Sequence, residues 1–362
     1  AAAAGALYVS AENAQFDNLF AGPMVVEVIV KDPNRSMTNE NAGEPTVLVD
    51  NQRLRLAQGL DGNWYGYFGD STDIASLAVD AAANETLLNF TAVDAPKTSA
   101  SGTEITTYDT ATYAGILSGG GVIDNPPELS NWNATDNAVC VACGQIGVFN
   151  ADWPFIQAFD FTQGDFDVKL EQAGADEVVT LDHNNADLDD YSSLTLDRNS
   201  ATQGAEVMLF IVDQQLNIDP TDEDVVIFKV ATGGVASTSS VAFTNGTIPW
   251  QMADAGVMGA ATTNGAYHAA QSGHGFGDNG KLLINNNTSG ASVAVLDKVS
   301  TVTIDDTVTA TTEGFTYLVF FEDADNTGTF SNVDDDDQAN LEVNTLAKRG
   351  TTATFDYNDS AQ

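Results

Sequence analysis

The stretch "DADNTGTFSNVDDDD", residues 323–337, sets six aspartates and one glycine into fifteen positions. Counted from Asp323, side-chain oxygens fall at positions one, three and five, on Asp323, Asp325 and Thr327. Gly328 stands at six, where the chain must bend sharply, and Thr329 offers its backbone carbonyl at seven. Asp334 closes the loop at twelve. This is nearly the EF-hand register, with Thr for Asp or Asn at five and Asp for the bidentate Glu at twelve. The shorter closing carboxylate points to a weaker calcium site of the extracellular kind. The preceding "FTYLVFFED" reads as strand, so the flanks are not helical. The competing reading is a solvated acidic hairpin turn with no ion.

A second acidic set lies in "VDQQLNIDPTDED", residues 212–224. Asp213 ends a strand, and Asn217, Asp219, Asp222, Glu223 and Asp224 follow in the turn. Carboxylates at a strand end and in the next turn can converge on one calcium ion, which accepts about six to eight oxygens in loose geometry. No fixed register supports this set, and a solvated turn is the alternative. "DHNNADLDD" (182–190) is a weaker candidate of the same kind.

The two cysteines, Cys140 and Cys143, form a single CxxC. A zinc site needs a second pair or histidines at ligand spacing, and the three histidines are scattered at His183, His268 and His274. A redox motif needs a helix opening behind the first cysteine, whereas "GQIGVFN" follows. The expected state is a disulfide closing a tight loop, which implies an oxidising compartment. Eight Asn-x-Ser/Thr sequons fit an extracellular surface.

Catalytic constellations are not visible. There is no GxSxG elbow, no HExxH and no phosphate-binding glycine–lysine pattern. His274 in "QSGHGFGDNG" reads as a turn residue before it reads as a base. Trp64, Tyr65 and Tyr67 could stack on sugars, but their alternation makes them core and cross-strand partners first. We therefore expect no enzyme.

The elements that must position these loops are strands. "MVVEVIV", "TVLV", "NWYGYF", "AFDF", "EVVTL", "EVMLFIV", "DVVIFKV", "VSTVTI" and "FTYLVFF" are rich in β-branched and aromatic residues and are separated by Gly, Asn, Asp and Pro clusters. Only "DIASLAVDAAANETLL" (73–88) reads as a helix. The pattern predicts an all-β chain of stacked β-sandwich domains with long loops. A weak repeat relates 22–41 to 204–224: a glycine, an apolar strand, an Asp at its end, then an Asx-rich turn with Pro. It argues for two related sandwiches. The first covers 1–190, with a loop-rich insertion around 99–151, and the second covers 191–362 and carries the acidic calcium loops.

Composition limits the partners. Fifty-two acidic residues against twelve Lys and Arg give a formal net charge of −40 over 362 residues, with 43% apolar residues. Such a chain folds, but it repels nucleic acid and anionic membranes, and it repels its own copies unless cations intervene. No apolar run reaches the roughly 20 residues of a membrane span. The opening "AAAAGALYVS" reads as the mature end left after a signal peptide was removed.

Several long segments carry a family resemblance: "FAGPMVVEVIVKDPN", "DGNWYGYFGD", "DWPFIQAFDFTQGDFDVKLEQAGADEVVTLDHNN", "SATQGAEVMLFIVDQQLNIDPTDEDVV" and "VNTLAKRGTTATFDYNDSAQ". Together they resemble the amino-terminal part of surface-layer (S-layer) proteins of ammonia-oxidising archaea. The resemblance implies a secreted chain of tandem immunoglobulin-like domains that tiles the cell as a porous lattice with copies of itself. Chains of that family are much longer, which makes this one an amino-terminal piece or a short paralogue. The expected function is a self-assembling coat subunit, stabilised by Ca2+ and enriching cations such as ammonium at its acidic pores. A secreted filament or adhesin subunit is the alternative, and a calcium-dependent carbohydrate-active domain is a more distant one.

Overall fold

The computed structural model describes residues 6–72 (except 23 and 41), 74, 116–118, 123, 125–130, 145, 146, 153–184, 191–231, 241, 242, 282–286, 293–295, 303, 304, 308, 309, 315–333, 339 and 341–357. These fall into two compact units. The first holds the described residues within 1–82, 90–185 and 219–222, and the second those within 186–218 and 223–362.

The first unit contains β1 (Leu7–Val9), β2 (Leu19–Phe20), β3 (Val26–Val30), β4 (Thr46–Val49), β5 (Gln52–Leu54) and β6 (Ala57–Gln58). It continues with β7 (Trp64–Asp70), β8 (Ile116–Ser118), β9 (Phe155–Phe159), β10 (Gly164–Glu171) and β11 (Glu177–His183). One sheet runs β1-β3-β7-β9-β8, with β6 also on β7, and the other runs β2-β11-β10-β4-β5. Strands β10 and β11 alternate buried and accessible residues, so Phe166, Val168 and Leu170 face inward while Asp165, Asp167 and Glu171 stay accessible. By contrast, all five residues of β9 are buried, as its near-continuous apolar run requires.

Rings from the two sheets meet in the core of this unit. Phe20 of β2 lies 5.9 Å from Phe68 of β7, and Phe166 of β10 lies 6.3 Å from Phe68, both edge-on. That is sandwich-like packing. Trp64 and Tyr67 are fully buried as core residues of β7.

The second unit contains β12 (Ser193–Leu196), β13 (Leu209–Val212), β14 (Val225–Ala231), β15 (Val241–Ala242), β16 (Leu282–Asn286) and β17 (Val293–Val295). It ends with β18 (Thr303–Ile304), β19 (Val308–Thr309), β20 (Phe315–Glu322), β21 (Thr329–Ser331), β22 (Leu341–Val343) and β23 (Ala353–Tyr357). The main sheet runs β12-β13-β21-β20-β14, and a smaller one runs β15-β16-β23. Its longest ladder joins β14 to β20 antiparallel, from Val225 opposite Phe321 to Ala231 opposite Phe315.

The described residues are therefore all-β, apart from short 3₁₀ turns and a helical start at Ser71, Thr72 and Ile74. The rest of the 73–88 segment, and most of 99–151, lies outside the described residues. Among the described residues, no helix is long and apolar enough to cross a membrane.

Candidate functional site

The acidic set 212–224 begins where β13 ends. Asp213 leaves the sheet in extended conformation and caps a 3₁₀ turn, Gln214–Leu216, its side chain accepting from the Gln215 N–H at 3.0 Å. Its other oxygen accepts from the Tyr357 hydroxyl at 2.6 Å, and its own N–H donates to the Gly328 carbonyl at 2.8 Å. Asp213 is only 1% exposed, and Gln214, Gln215, Leu216 and Asn217 are buried with it. This turn is an interior element, not a solvated one.

Asp224 and Glu322 close the same region from the end of the β14–β20 ladder. Each N–H reaches the other residue: the Asp224 N–H donates to Glu322 Oε2 at 3.0 Å, and the Glu322 N–H donates to the Asp224 carbonyl at 2.9 Å. The Ile218 N–H donates to Asp224 Oδ2. Both side chains are buried, at 1% and 3% exposure.

The hairpin loop between β20 and β21 is organised by Glu322. Its Oε1 accepts from the Thr327 N–H at 2.6 Å, the Thr327 hydroxyl at 3.2 Å and the Gly328 N–H at 2.7 Å. The loop folds back over that carboxylate through Asn326 and Gly328, both in the left-handed region with φ of 57° and 62°. Gly328 is required twice over, because a Cβ there would also lie 2.5 Å from Gln214 Oε1. Burial pushes the Glu322 carboxyl up to about 7, while the N–H groups of Asp224, Gly328 and Thr327 pull it the other way.

The expected ligands are thus distributed unevenly. Asp323 and Asp325 are exposed, Thr327 and Thr329 are half-buried, and Asp334 lies outside the described residues. Asp213, Asn217 and Asp224 are buried in the second unit. Asp219 and Asp222 belong to the stretch that groups with the first unit, where Asp219 is buried and accepts from the N–H and hydroxyl of Thr221 at 2.8 and 2.6 Å. Cys140, Cys143, His268 and His274 lie outside the described residues. His183 is a core residue of the first unit, beside Phe20 and Phe161, and neither ring nitrogen has a hydrogen-bond partner among the described residues.

Glu322 is the residue that spacing from Asp323 passes over. Strand alternation offers the signal, because Glu322 stands two residues after the buried Phe320 and so shares its face.

Two further oxygens complete the region. Gln214 Oε1 and Asn217 Oδ1 are buried and accept no hydrogen bond among the described residues. The Asn217 amide is oriented by its Nδ2, which donates to Asn326 Oδ1 at 2.9 Å. Among the described residues, no three carboxylate, imidazole or thiol groups form a metal-binding group by themselves. A cation here would depend on amide and main-chain oxygens beside the carboxylates, which is chemistry suited to calcium and unsuited to zinc. No protein-family model and no curated protein matches the chain.

Proposed function

We propose that this chain is a structural subunit of an extracellular, self-assembling porous surface layer, built of immunoglobulin-like domains and stiffened by divalent cations. The observation that carries the reading is the pairing of an all-β chain with a formal net charge of −40. Copies of such a chain approach one another only when cations screen or bridge them. The S-layer resemblance of the quoted segments supports the same reading.

Calcium is the cation we assign, at the oxygen set of Asp213, Gln214, Asn217, Asp224 and Glu322. Two buried amide oxygens without donors there favour a cation over water-exposed binding at Asp323 and Asp325. Acidic pore walls would also enrich small cations, ammonium among them, over anions. Charge alone acts over about one Debye length, of order 3–8 Å in salt, so only wall-lining Asp and Glu contribute.

Electron imaging of the purified protein with calcium and with chelator tests the reading. Sheets that form with calcium support a coat. Fibres would favour a filament or adhesin subunit, and monomers under every cation would overturn self-assembly. Equal permeation of matched small cations and anions through the sheets at low salt would remove the cation-enriching role.

A further inference from the structure

One cleft of the second unit runs against the charge of the whole chain. Only twelve of 362 residues are Lys or Arg, and three of them, Arg198, Lys348 and Arg349, line this cleft of about 780 Å3. Arg198 is held by its neighbour Asp197. Lys348 and Arg349 are exposed and make no ion pair among the described residues.

The loop that presents them is built, not slack. The Ala347 N–H donates to the Asn344 carbonyl at 2.9 Å, and the Leu346 N–H donates to Asn344 Oδ1 at 2.8 Å. Gln203 Nε2 donates to the Ala347 carbonyl, and the Thr351 hydroxyl donates to the Lys348 carbonyl at 2.7 Å. Gly350 turns the chain with φ of 78°. At the tip, Leu346 is 84% exposed, the highest value for any large apolar side chain among the described residues. A fixed loop that holds a leucine in water beside two unpaired cations has the make-up of an interface anchor.

The wall of the cleft adds a third property. Residues Thr351–Phe355 run into β23, which stands at the end of the order β15-β16-β23 among the described residues. An outer strand offers main-chain groups to an incoming extended segment. A small anion could meet the cations, but it would leave Leu346 and this edge uncovered.

We propose that this cleft docks an extended acidic segment of a second copy of the chain. Charge selects the partner. Each copy is at −40, and this is a place where a copy offers cations to an acidic run of the next, such as the four consecutive aspartates at 334–337 of the sequence. In physiological salt the repulsion of the rest is screened beyond about 8 Å, so local complementarity decides the contact. The contact joins two different surfaces, so it is heterologous and propagates into an open array unless the rotation closes. It deepens the coat reading and rests on it for its biological use.

The test mixes equal amounts of isotopically light and heavy protein, joins amines to carboxylates with a zero-length carbodiimide, and maps the linked peptides by mass spectrometry. We expect Lys348 joined to an Asp or Glu of the other isotope. The double variant Leu346→Ser/Arg349→Glu, which keeps Lys348 and alters only exposed side chains, should lower that yield at least about tenfold. Raising salt from about 0.05 to 1 M should lower it likewise. Lys348 linked only within its own copy, or a variant linking as well as the parent, would overturn the proposal. Imaging the same samples separates the two ideas. Sheets with Lys348 unlinked keep the coat and discard this contact, whereas linked copies without sheets keep the contact and discard the coat.

Discussion

Two turns built on one plan differ in what neutralises them. In the first unit, β3 ends at a turn where Asp32 caps Pro33–Arg35 and accepts from the Asn34 N–H at 2.9 Å. In the second, β13 ends where Asp213 caps Gln214–Leu216 and accepts from the Gln215 N–H at 3.0 Å. The capping hydrogen bond is the same, and the surroundings are opposite. Asp32 sits near the surface with Arg35 Nε at 3.4 Å, and Arg35 also donates to the Gly43 and Glu44 carbonyls at 3.1 and 2.8 Å. Asp213 is interior, and it accepts from the Gln215 N–H and the Tyr357 hydroxyl.

The contrast extends to other acids. Glu44 of the first unit receives Arg55 through Nε at 2.9 Å and a terminal nitrogen at 2.8 Å, with Arg53 at 3.7 Å. The segments that carry Asp213, Asp224 and Glu322 have no Lys or Arg from 199 to 228 or from 299 to 347. A guanidinium is a permanent cation on the chain, whereas N–H and hydroxyl donors leave room for a proton or a dissolved ion. Glu44 is thereby fixed against its medium, whereas Asp213, Asp224 and Glu322 are open to it, as is Glu27 of the first unit beside the Tyr67 hydroxyl at 3.0 Å.

The largest effect should come from breaking the permanent pair. Arg55→Leu leaves the half-buried Glu44 with Arg53 and the Leu56 N–H alone, so urea unfolding should show a loss of up to about 3–5 kcal/mol. Calcium should not restore it. A calcium-reversible loss would erase the distinction between the guanidinium-held acid and the others.

Next comes pH. The Glu322 carboxyl rises from its ordinary 4.5 to about 7 on folding, so the folded protein takes up this proton more readily than the unfolded chain. Its contribution is full below about 4.5 and is lost as pH rises through about 7. The difference is at most about 3–4 kcal/mol, from about 1.4 kcal/mol per pH unit. Comparing wild type with Glu322→Gln at pH 5 and pH 8 isolates it, and equal pH slopes would refute it. Calcium should reduce the wild-type loss at pH 8 and matter little at pH 5, because ligands must be deprotonated.

The smallest effect discriminates between the two acidic loops. At calcium near 100 times its dissociation constant, binding adds about 2.7 kcal/mol. Asn217→Ala should cut the calcium-dependent rise in Tm, while Asp325→Ala should leave it intact. The reverse result would return the ion to the register that starts at Asp323.

Much of the fold is legible in the residues. Each of the nine quoted apolar segments overlaps a strand, and the repeat correctly equates Asp32 with Asp213, since both cap 3₁₀ turns. Strands such as β10, "GDFDVKLE", are harder to see because charged residues occupy the outward positions of its alternation. The site is less legible for a different reason. Tyr357 and Asp213 are 144 residues apart and Asn326 and Asn217 are 109 apart, so no local spacing announces their meeting. Nor does sequence distinguish an exposed Asp325 from a buried Asp224, because both stand in turns dense with acids.

That difference in separation also orders the assembly of the second unit. Glu322 reaches Thr327 and Gly328 across five and six residues, so closing this hairpin costs little chain entropy. Hairpins of this kind form in about 1–10 μs. The Asp213–Tyr357 hydroxyl bond must close a loop of 144 residues, and its entropic cost is met only once intervening sheets have docked. The hairpin should therefore form early, and the bond from Tyr357 to Asp213 should close late as a latch. A nascent chain that ends before Tyr357 would carry the hairpin without the latch, and ribosome-stalled lengths on either side of that residue would differ in protease resistance.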